Sequence, residues 1–141
     1  MNHLSRQFSR FITQVPYLKM LVIFGSRGRG EAHQDSDWDF AVLYDEELAE
    51  EQLKGWDWFK IYDVLADAFE ISSDAIDVVN LNKCSPLIAH YVARDGQLIY
   101  EQETGFFEQF KTKNLMSKEE LKQLQLKLRK ELEISLARRG I

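Results

Sequence analysis

The stretch that decides the fold runs from residue 20 to residue 44, MLVIFGSRGRGEAHQDSDWDFAVLY. One apolar run ends in a glycine-serine turn, and the next begins around two aspartates one residue apart. Side chains at i and i+2 of a strand point to one face, so Asp37 and Asp39 project together while Trp38 points oppositely. Neighbouring carboxylates raise one another's pKa unless a cation offsets their charge. The stretch therefore predicts a cation site at the start of a strand.

The turn before the aspartates, Gly25-Ser26, has the features of a phosphate site. Glycine lets the backbone approach a ligand closely, and a short helical turn opened by Ser26 would present its hydroxyl and free amides to an anion. Arg27 and Arg29 add positive charge nearby. Magnesium prefers one or two carboxylates completed by phosphate oxygens and water. Turn and carboxylates together predict a metal-nucleotide site.

The glycine spacing excludes two other nucleotide-binding motifs. The order G-x-x-G-x-G differs from the dinucleotide fingerprint, and no lysine stands where a P-loop requires one. Taken alone, the glycines are equally compatible with an ordinary loop, and the aspartate pair with a surface strand. Their conjunction is what indicates a site.

Residue periodicity predicts an α/β chain in which strands and helices are mixed. Strands are expected at residues 20–24, 38–44, 75–81 and 97–100. Helices are expected at residues 3–15, 46–69 with a possible break at Gly55, 86–94, 105–111 and 117–139. Asp45, Ser85 and Ser117 are predicted helix caps, the last in a capping box with Glu120, and Gly140 suits a helix end.

The first helix is predicted from an apolar stripe with helical spacing, which comprises Leu4, Phe8, Phe11, Ile12 and Val15. The helix at residues 46–69 carries a second stripe that is expected to face a core, and it comprises Trp58, Ile61, Tyr62, Leu65 and Phe69. The last helix carries a third stripe, Leu121, Leu124, Leu128, Leu132 and Ser135, which suits either its own domain or a partner protein.

Composition limits the class of protein. The 141 residues, 45% of them hydrophobic, suffice for one domain with a core. The net charge of −5 disfavours direct nucleic-acid binding. The longest apolar run of the chain, Met20 to Phe24, is too short for a membrane helix, so we expect a cytoplasmic protein without membrane contact. The single cysteine, Cys84, is expected to fill apolar space. A loop histidine, His33, is expected to face solvent, and His3 and His90 to be structural.

The residues Gly25-Ser26, ten intervening positions and Asp37-Trp38-Asp39 form the pattern G-S-x10-D-x-D. This pattern resembles the signature of the DNA polymerase beta-like nucleotidyltransferase superfamily. The phrase FGSRGRGEAHQDSDWDFAVL most resembles the minimal nucleotidyltransferases, the MntA-type antitoxins of toxin-antitoxin pairs with HEPN-domain toxins. The segments IDVVNL and SPLIAHYVARDGQLIYE extend the resemblance over about residues 15–103.

The resemblance implies a fold and a set of site residues. The fold would be a mixed β-sheet flanked by helices, with a nucleotidyltransferase domain at 1–103. A C-terminal helical extension at 104–141 would pack on that domain or on a partner. Gly25, Ser26 and Arg29 would bind the nucleotide, and three carboxylates would be catalytic and bind two Mg²⁺ ions: Asp37, Asp39 and Asp77. The sequence departs from the family pattern in Trp38, where a small aliphatic residue is usual, and in Asn80, where another acid often stands.

The resemblance also implies a reaction. The chain would transfer AMP from ATP to a tyrosine hydroxyl of a HEPN ribonuclease toxin, with which it would form a hetero-oligomer. Two alternatives remain open at this stage. One is transfer to an antibiotic hydroxyl, although enzymes of that aminoglycoside type usually have a larger C-terminal helical domain. The other is a non-catalytic module that neutralises a toxin by contact through its C-terminal helix.

Overall fold

The computed structural model describes residues 3–33 and 36–140, with side chains from residue 9 onward. The described strands are β1 (Leu18–Phe24), β2 (Trp38–Tyr44), β3 (Ile76–Asn80) and β4 (Gln97–Glu101). The described helices are α1 (His3–Gln14), α2 (Gly25–Gly28), α3 (Glu46–Gln52), α4 (Lys60–Phe69), α5 (Pro86–Asp95), α6 (Phe106–Asn114) and α7 (Lys118–Arg138). Short 3₁₀ segments cover Gly55–Phe59 and Ser73–Ala75.

The four strands form one mixed sheet in the order β3-β2-β1-β4. The β1 strand pairs antiparallel with both β2 and β4, while β2 pairs parallel with β3. A parallel pair requires a long crossover, and α3 and α4 supply it. The sheet therefore has β2 as the strand that joins its antiparallel and parallel halves.

Apolar side chains cover both faces of this sheet. Alternation along β2 sends Phe40 and Val42 to one face and Ala41 to the other, and all three are fully buried. The first face packs against α1 and α4, with a core of Phe11, Val15, Tyr17, Leu18, Leu21, Phe40, Val42, Ile61, Val64, Leu65, Ala68, Ile76 and Tyr100. The second face packs against α5 and α6, with a core of Met20, Val22, Ala41, Ala89, Val92, Ala93, Phe107 and Phe110.

The helix starts follow the capping residues in the sequence. A carboxylate oxygen of Asp45 accepts a hydrogen bond from the Leu48 amide at 3.2 Å, and the Ser85 hydroxyl accepts one from the Ile88 amide at 3.2 Å. At the start of α7, Ser117 and Glu120 form the predicted capping box. Such caps satisfy amides that have no partner within the helix. They fix where each helix leaves the sheet.

The expected mixed sheet flanked by helices is confirmed, and the strand bounds agree within two residues. One core assignment is wrong, because Trp58 is 50% exposed. Ile12 of α1 is 59% exposed. The predicted helix is interrupted at Gly55, where a 3₁₀ segment begins. Because a 3₁₀ helix has three residues per turn, Trp58 is rotated away from the apolar stripe of α4. Leu4, Phe8 and His3 lie outside the described side chains.

The two C-terminal helices differ in burial. Phe107 and Phe110 of α6 are buried against the sheet, whereas α7 contains no buried residue. Leu128 and Leu132 of α7 are 42% and 59% exposed. An amphipathic helix with an uncovered apolar stripe is a common feature of protein-binding surfaces.

None of the described helices is long and apolar enough to span a membrane.

A matched pair of leucine substitutions tests this distribution of burial. Leu65 is fully buried between α4 and the sheet, so Leu65→Ala should lower the free energy of unfolding by about 2–5 kcal/mol. The control is Leu132→Ala, which should change it by less than about 0.5 kcal/mol because that side chain is 59% exposed. Urea unfolding of the isolated chain measures both. Equal losses in the two variants would contradict the assignment of the core.

Candidate active site

The glycine-serine turn lies directly beside the second aspartate. Phe24, the last residue of β1, pairs with Asp39 of β2, so the chain turns into α2 next to the Asp39 carboxylate. Gly25 has φ +64°, and a Cβ there would overlap Oδ2 of Asp39. Only glycine combines this backbone conformation with this close approach. The structure therefore brings together the two halves of the sequence motif.

The far side of the turn is packed against α5 and β4. Gly28 is buried, and a Cβ there would lie 2.8 Å from the Asp95 carbonyl oxygen and 3.0 Å from that of Ile23. The Gln97 amide donates a 2.7 Å hydrogen bond to the Gly28 carbonyl. These contacts fix the position of the turn relative to α5 and β4. Sequence reasoning did not identify Gln97, because a polar residue at the start of an edge strand is common.

The third predicted carboxylate also lies at this end of the sheet. In the parallel pairing of β2 with β3, Asp77 is the direct neighbour of Asp39. Asp37 precedes β2 and is exposed, as is Asp77, whereas Asp39 is half-buried. The predicted proximity of the three aspartates is therefore explained by strand register. Trp38 points to the opposite face, where it packs against Phe40 and Phe69.

Burial raises the pKa of the Asp39 carboxyl above its ordinary value, and the charges of Asp77 and Asp37 raise it further. The nearby Arg29 guanidinium opposes this rise. The negative charges of Asp77 and Asp37 thus act on the Asp39 carboxyl. An arrangement of this kind attracts a divalent cation, since a cation lowers the free energy of the charged forms.

The donor set fits magnesium in its chemistry, because hard cations prefer carboxylate oxygens and fill their remaining positions with phosphate oxygens and water. Among the residues that the structure describes, no group of three or more histidine, cysteine or acidic side chains is placed so that it could hold a metal ion by itself. Asp37, Asp39 and Asp77 are the residues that could hold it.

Arg29 sits at the rim of the site and is held by two acidic side chains. Its Nε donates to Oε2 of Glu31 at 3.0 Å, and its Nη1 lies 3.6 Å from Oδ2 of Asp95. Hydrogen bonding from Arg94, together with the two arginine charges, lowers the pKa of Asp95. Arg29 is therefore anchored as a cation close to Asp39. Its ion-pair partner Asp95, at the end of α5, was not recognised from the sequence.

Arg27 does not accompany Arg29 toward the carboxylates. Its guanidinium carbon lies 4.0 Å from the centre of the Trp38 ring, and its Nη2 donates to the Ser36 carbonyl at 2.8 Å. The two arginines therefore have different surroundings: Arg29 lies near the Asp39 carboxylate and Arg27 lies on the Trp38 ring. The sequence shows that Arg27 and Trp38 are close to the motif, but not that they face each other.

Other candidate residues take structural positions. His33 is exposed, as expected. His90 is 3% exposed, and its Nδ1 accepts a hydrogen bond from the Met116 amide at 3.0 Å. Cys84 packs against the α5 and α6 core. An open cavity of about 710 Å³, lined partly by Tyr44 and Trp58, lies over the opposite face of the sheet and includes none of the three aspartates.

Comparison with known proteins agrees with this geometry. Residues 7–105 match the model of the family described as Polymerase beta, Nucleotidyltransferase. The match covers the sheet and both halves of the G-S and D-x-D motif. The chain belongs to this family of nucleotidyltransferases.

The chain is also similar to individual proteins. The chain is 46% identical over 134 residues to the protein adenylyltransferase MntA of Aphanizomenon flos-aquae (strain 2012/KM1/D3), covering 94% of this chain and 89% of that protein. It is also similar to a chain in the crystal structure of a toxin-antitoxin with AMP-PNP, with a TM-score of 0.59, 20% identity and full coverage of both chains.

A further similar structure is that of a tri-AMPylated Shewanella oneidensis HEPN toxin in complex with an MNT antitoxin. The TM-score is 0.52 and the identity 18%, over 98% of this chain and 99% of that one. At such identities the two solved structures establish a shared fold.

Alanine at Gly25 tests the close approach between the turn and Asp39. Gly25→Ala should destabilise the chain by about 1–2 kcal/mol for the left-handed backbone and by about 0.5–1.5 kcal/mol more for displacing the Asp39 carboxylate from its rotamer. Gly30→Ala is the matched control, because Gly30 has φ +75° and open space at the Cβ position. It should show only the backbone effect. Chemical denaturation measures both variants, and equal values would contradict the predicted overlap.

The raised pKa of Asp39 predicts a pH effect in the absence of divalent cations. Because the folded chain holds this proton more tightly than the unfolded chain, stability should fall as pH rises from 3.8 through the folded pKa. Asp39→Asn removes this loss and should melt at a higher temperature than wild type at neutral pH. The advantage should vanish at acid pH. Melting curves from pH 3 to 7 measure it.

The control for that experiment is Asp74→Asn at an exposed turn before β3. It removes one carboxylate without touching the three-aspartate site. A neutral-pH advantage of the same size in this control would show that the effect comes from net charge rather than from the site.

Proposed function

We propose that this chain is an antitoxin that transfers AMP from ATP to a tyrosine hydroxyl of a cognate HEPN toxin and thereby neutralises it. The observation that carries the proposal is the complete G-S and D-x-D site in a chain 46% identical to a protein adenylyltransferase. The similar fold of chains from toxin-antitoxin structures, one with AMP-PNP and one with a tri-AMPylated toxin, supports it. A hetero-oligomer with the toxin and a cytoplasmic location belong to the same proposal.

Each motif residue receives a role in this proposal. Gly25 and Ser26 bind the triphosphate through backbone amides and hydroxyl, and Arg29 contacts a phosphate from the rim. Asp37, Asp39 and Asp77 would hold two magnesium ions. When bound, the metal supplies charge neutralisation at the attacking oxygen and at the leaving group.

The reaction forms a bond between the acceptor oxygen and the α-phosphorus of ATP, while the bond from that phosphorus to the bridging oxygen breaks and pyrophosphate leaves. Asp77 is the residue proposed to take the acceptor proton or to orient the acceptor hydroxyl. Its exposure at the edge strand β3 favours this role, because a side chain of another protein can reach it. The rest of the chain mainly positions reacting groups.

The exposed stripe of α7 favours a second candidate function, neutralisation by contact. Leu128 and Leu132 are uncovered in the isolated chain, so binding of a partner would bury them. Contact and AMP transfer are compatible in one protein. A variant without the carboxylates separates the two contributions, because contact does not require them.

Reconstitution with the toxin encoded beside this chain tests transfer. With ATP labelled at the α-phosphate and Mg²⁺, the wild-type chain should label the toxin. Asp37→Asn and Asp39→Asn should each lower the rate by at least about 10³-fold, since electrostatic stabilisation of the transition state is lost. Circular dichroism should show an unchanged fold. Asp74→Asn at the exposed turn should keep wild-type activity.

The outcomes distinguish the candidates. Label on the toxin that disappears when its acceptor tyrosine is changed to phenylalanine supports protein AMPylation. Absence of label from the toxin, with label on an aminoglycoside added in its place, would replace the proposal by the antibiotic-modifying function. Full neutralisation by Asp39→Asn without any label would leave contact as the mechanism.

A further inference from the structure

The Arg27 side chain connects the two halves of the active-site motif without entering the site. Arg27 belongs to the α2 turn, immediately after Ser26, and its guanidinium carbon lies 4.0 Å from the Trp38 ring centre. Trp38 stands between Asp37 and Asp39. A contact between these two side chains therefore joins the proposed phosphate-binding turn to the strand that carries the carboxylates.

The guanidinium also binds the backbone that leads into the carboxylates. Its Nη2 donates to the Ser36 carbonyl at 2.8 Å and lies 3.5 Å from the His33 carbonyl. The Ser36 carbonyl belongs to the peptide unit that precedes Asp37. Arg27 thus holds the backbone next to the first aspartate as well as the side chain between the two.

The Arg27 guanidinium contacts the Trp38 ring, which points away from the carboxylates. Its Nε is buried and lacks a hydrogen-bond partner among the described residues. A planar group that stacks on one face and donates from one edge matches this environment, and an ammonium group does not.

The tryptophan is itself fixed by the core. Its ring centre lies 6.1 Å from that of Phe40 and 5.6 Å from that of Phe69, on the face of the sheet opposite to the carboxylates. A small aliphatic residue at this position would offer no flat surface for a guanidinium. Because the core holds Trp38 in place, Trp38 holds the Arg27 guanidinium, and Arg27 in turn holds the glycine-serine turn.

We propose that the Arg27–Trp38 stack positions the phosphate-binding turn relative to Asp37 and Asp39, so that Arg27 is a positioning residue for nucleotidyl transfer. This inference rests on the proposed function. Displacement of reacting groups by about 1 Å can lower a rate about 10²-fold. Loss of the stack should therefore act mainly on kcat, whereas loss of a direct phosphate contact would act mainly on the KM for ATP.

The experiment compares Arg27→Lys and Trp38→Leu with matched controls in the full chain and its toxin. Both variants should lower kcat at least about tenfold while changing the KM for ATP by less than roughly threefold. The double variant should be no worse than the single ones, because both remove the same contact. Trp38→Phe, which keeps an aromatic face, should restore most of the kcat.

The controls are Arg10→Lys on α1, which forms a surface ion pair with Asp67, and Trp58→Leu in the exposed 3₁₀ segment. Both should retain wild-type kcat. A large rise in KM for Arg27→Lys, with unchanged kcat for Trp38→Leu, would overturn the proposal in favour of direct phosphate binding. Equal kcat values for Trp38→Phe and Trp38→Leu would also overturn it.

A spectroscopic measurement tests the stack independently of activity. The chain contains three tryptophans, so Trp38 can be observed alone in a Trp56→Phe, Trp58→Phe background. Arg27→Lys should change its emission, whereas titration with magnesium and AMP-PNP should give a dissociation constant within about threefold of that of the same background with Arg27. Unchanged emission would refute the stack, and binding weakened about tenfold or more would indicate a direct phosphate contact instead. Failure of wild type to label the toxin would instead refute the proposed function.

Discussion

The site depends on the double pairing of strand β2. Its antiparallel neighbour β1 ends beside Asp39 and turns there into α2, while its parallel neighbour β3 places Asp77 directly beside the same residue. One carboxylate is thus flanked by a glycine turn on one side and by a second acid on the other. Both relationships are set by the register of the backbone hydrogen bonds between the strands. A shift of that register by one residue would abolish them, because every side chain of the strand would move to the other face of the sheet.

This pairing also explains why unfavourable charge is tolerated. The buried cores on both sides of the sheet supply the stability that offsets the burial of Asp39 and its repulsion by Asp77 and Asp37. Polar contacts then refine the position of the turn: Gln97 holds Gly28 from one side, and Arg27 holds the Ser36 backbone from the other. The two cores thus stabilise the chain, and the polar contacts beside the site set the position of the turn.

Much of this was predictable from the sequence because local signals and tertiary structure agree. Alternation identified β2, capping residues identified the starts of α3, α5 and α7, and motif spacing identified the residues that meet around Asp39. Predictions failed where side-chain direction depends on tertiary context. The periodicity around Trp58 did not reveal that the chain changes to a 3₁₀ turn, and spacing alone could not place Arg27 on Trp38 rather than beside Arg29.

The parallel pairing of β2 with β3 has a consequence for the order of folding. The antiparallel contact of β1 with β2 joins segments close in the chain, whereas β3 must wait for the crossover through α3 and α4. Distant pairings form later, since more chain entropy is lost before the contacts are gained. A nascent chain can therefore assemble the glycine turn and first two acids before the third arrives. Asp77 therefore comes to lie beside Asp39 only when β3 has paired with β2.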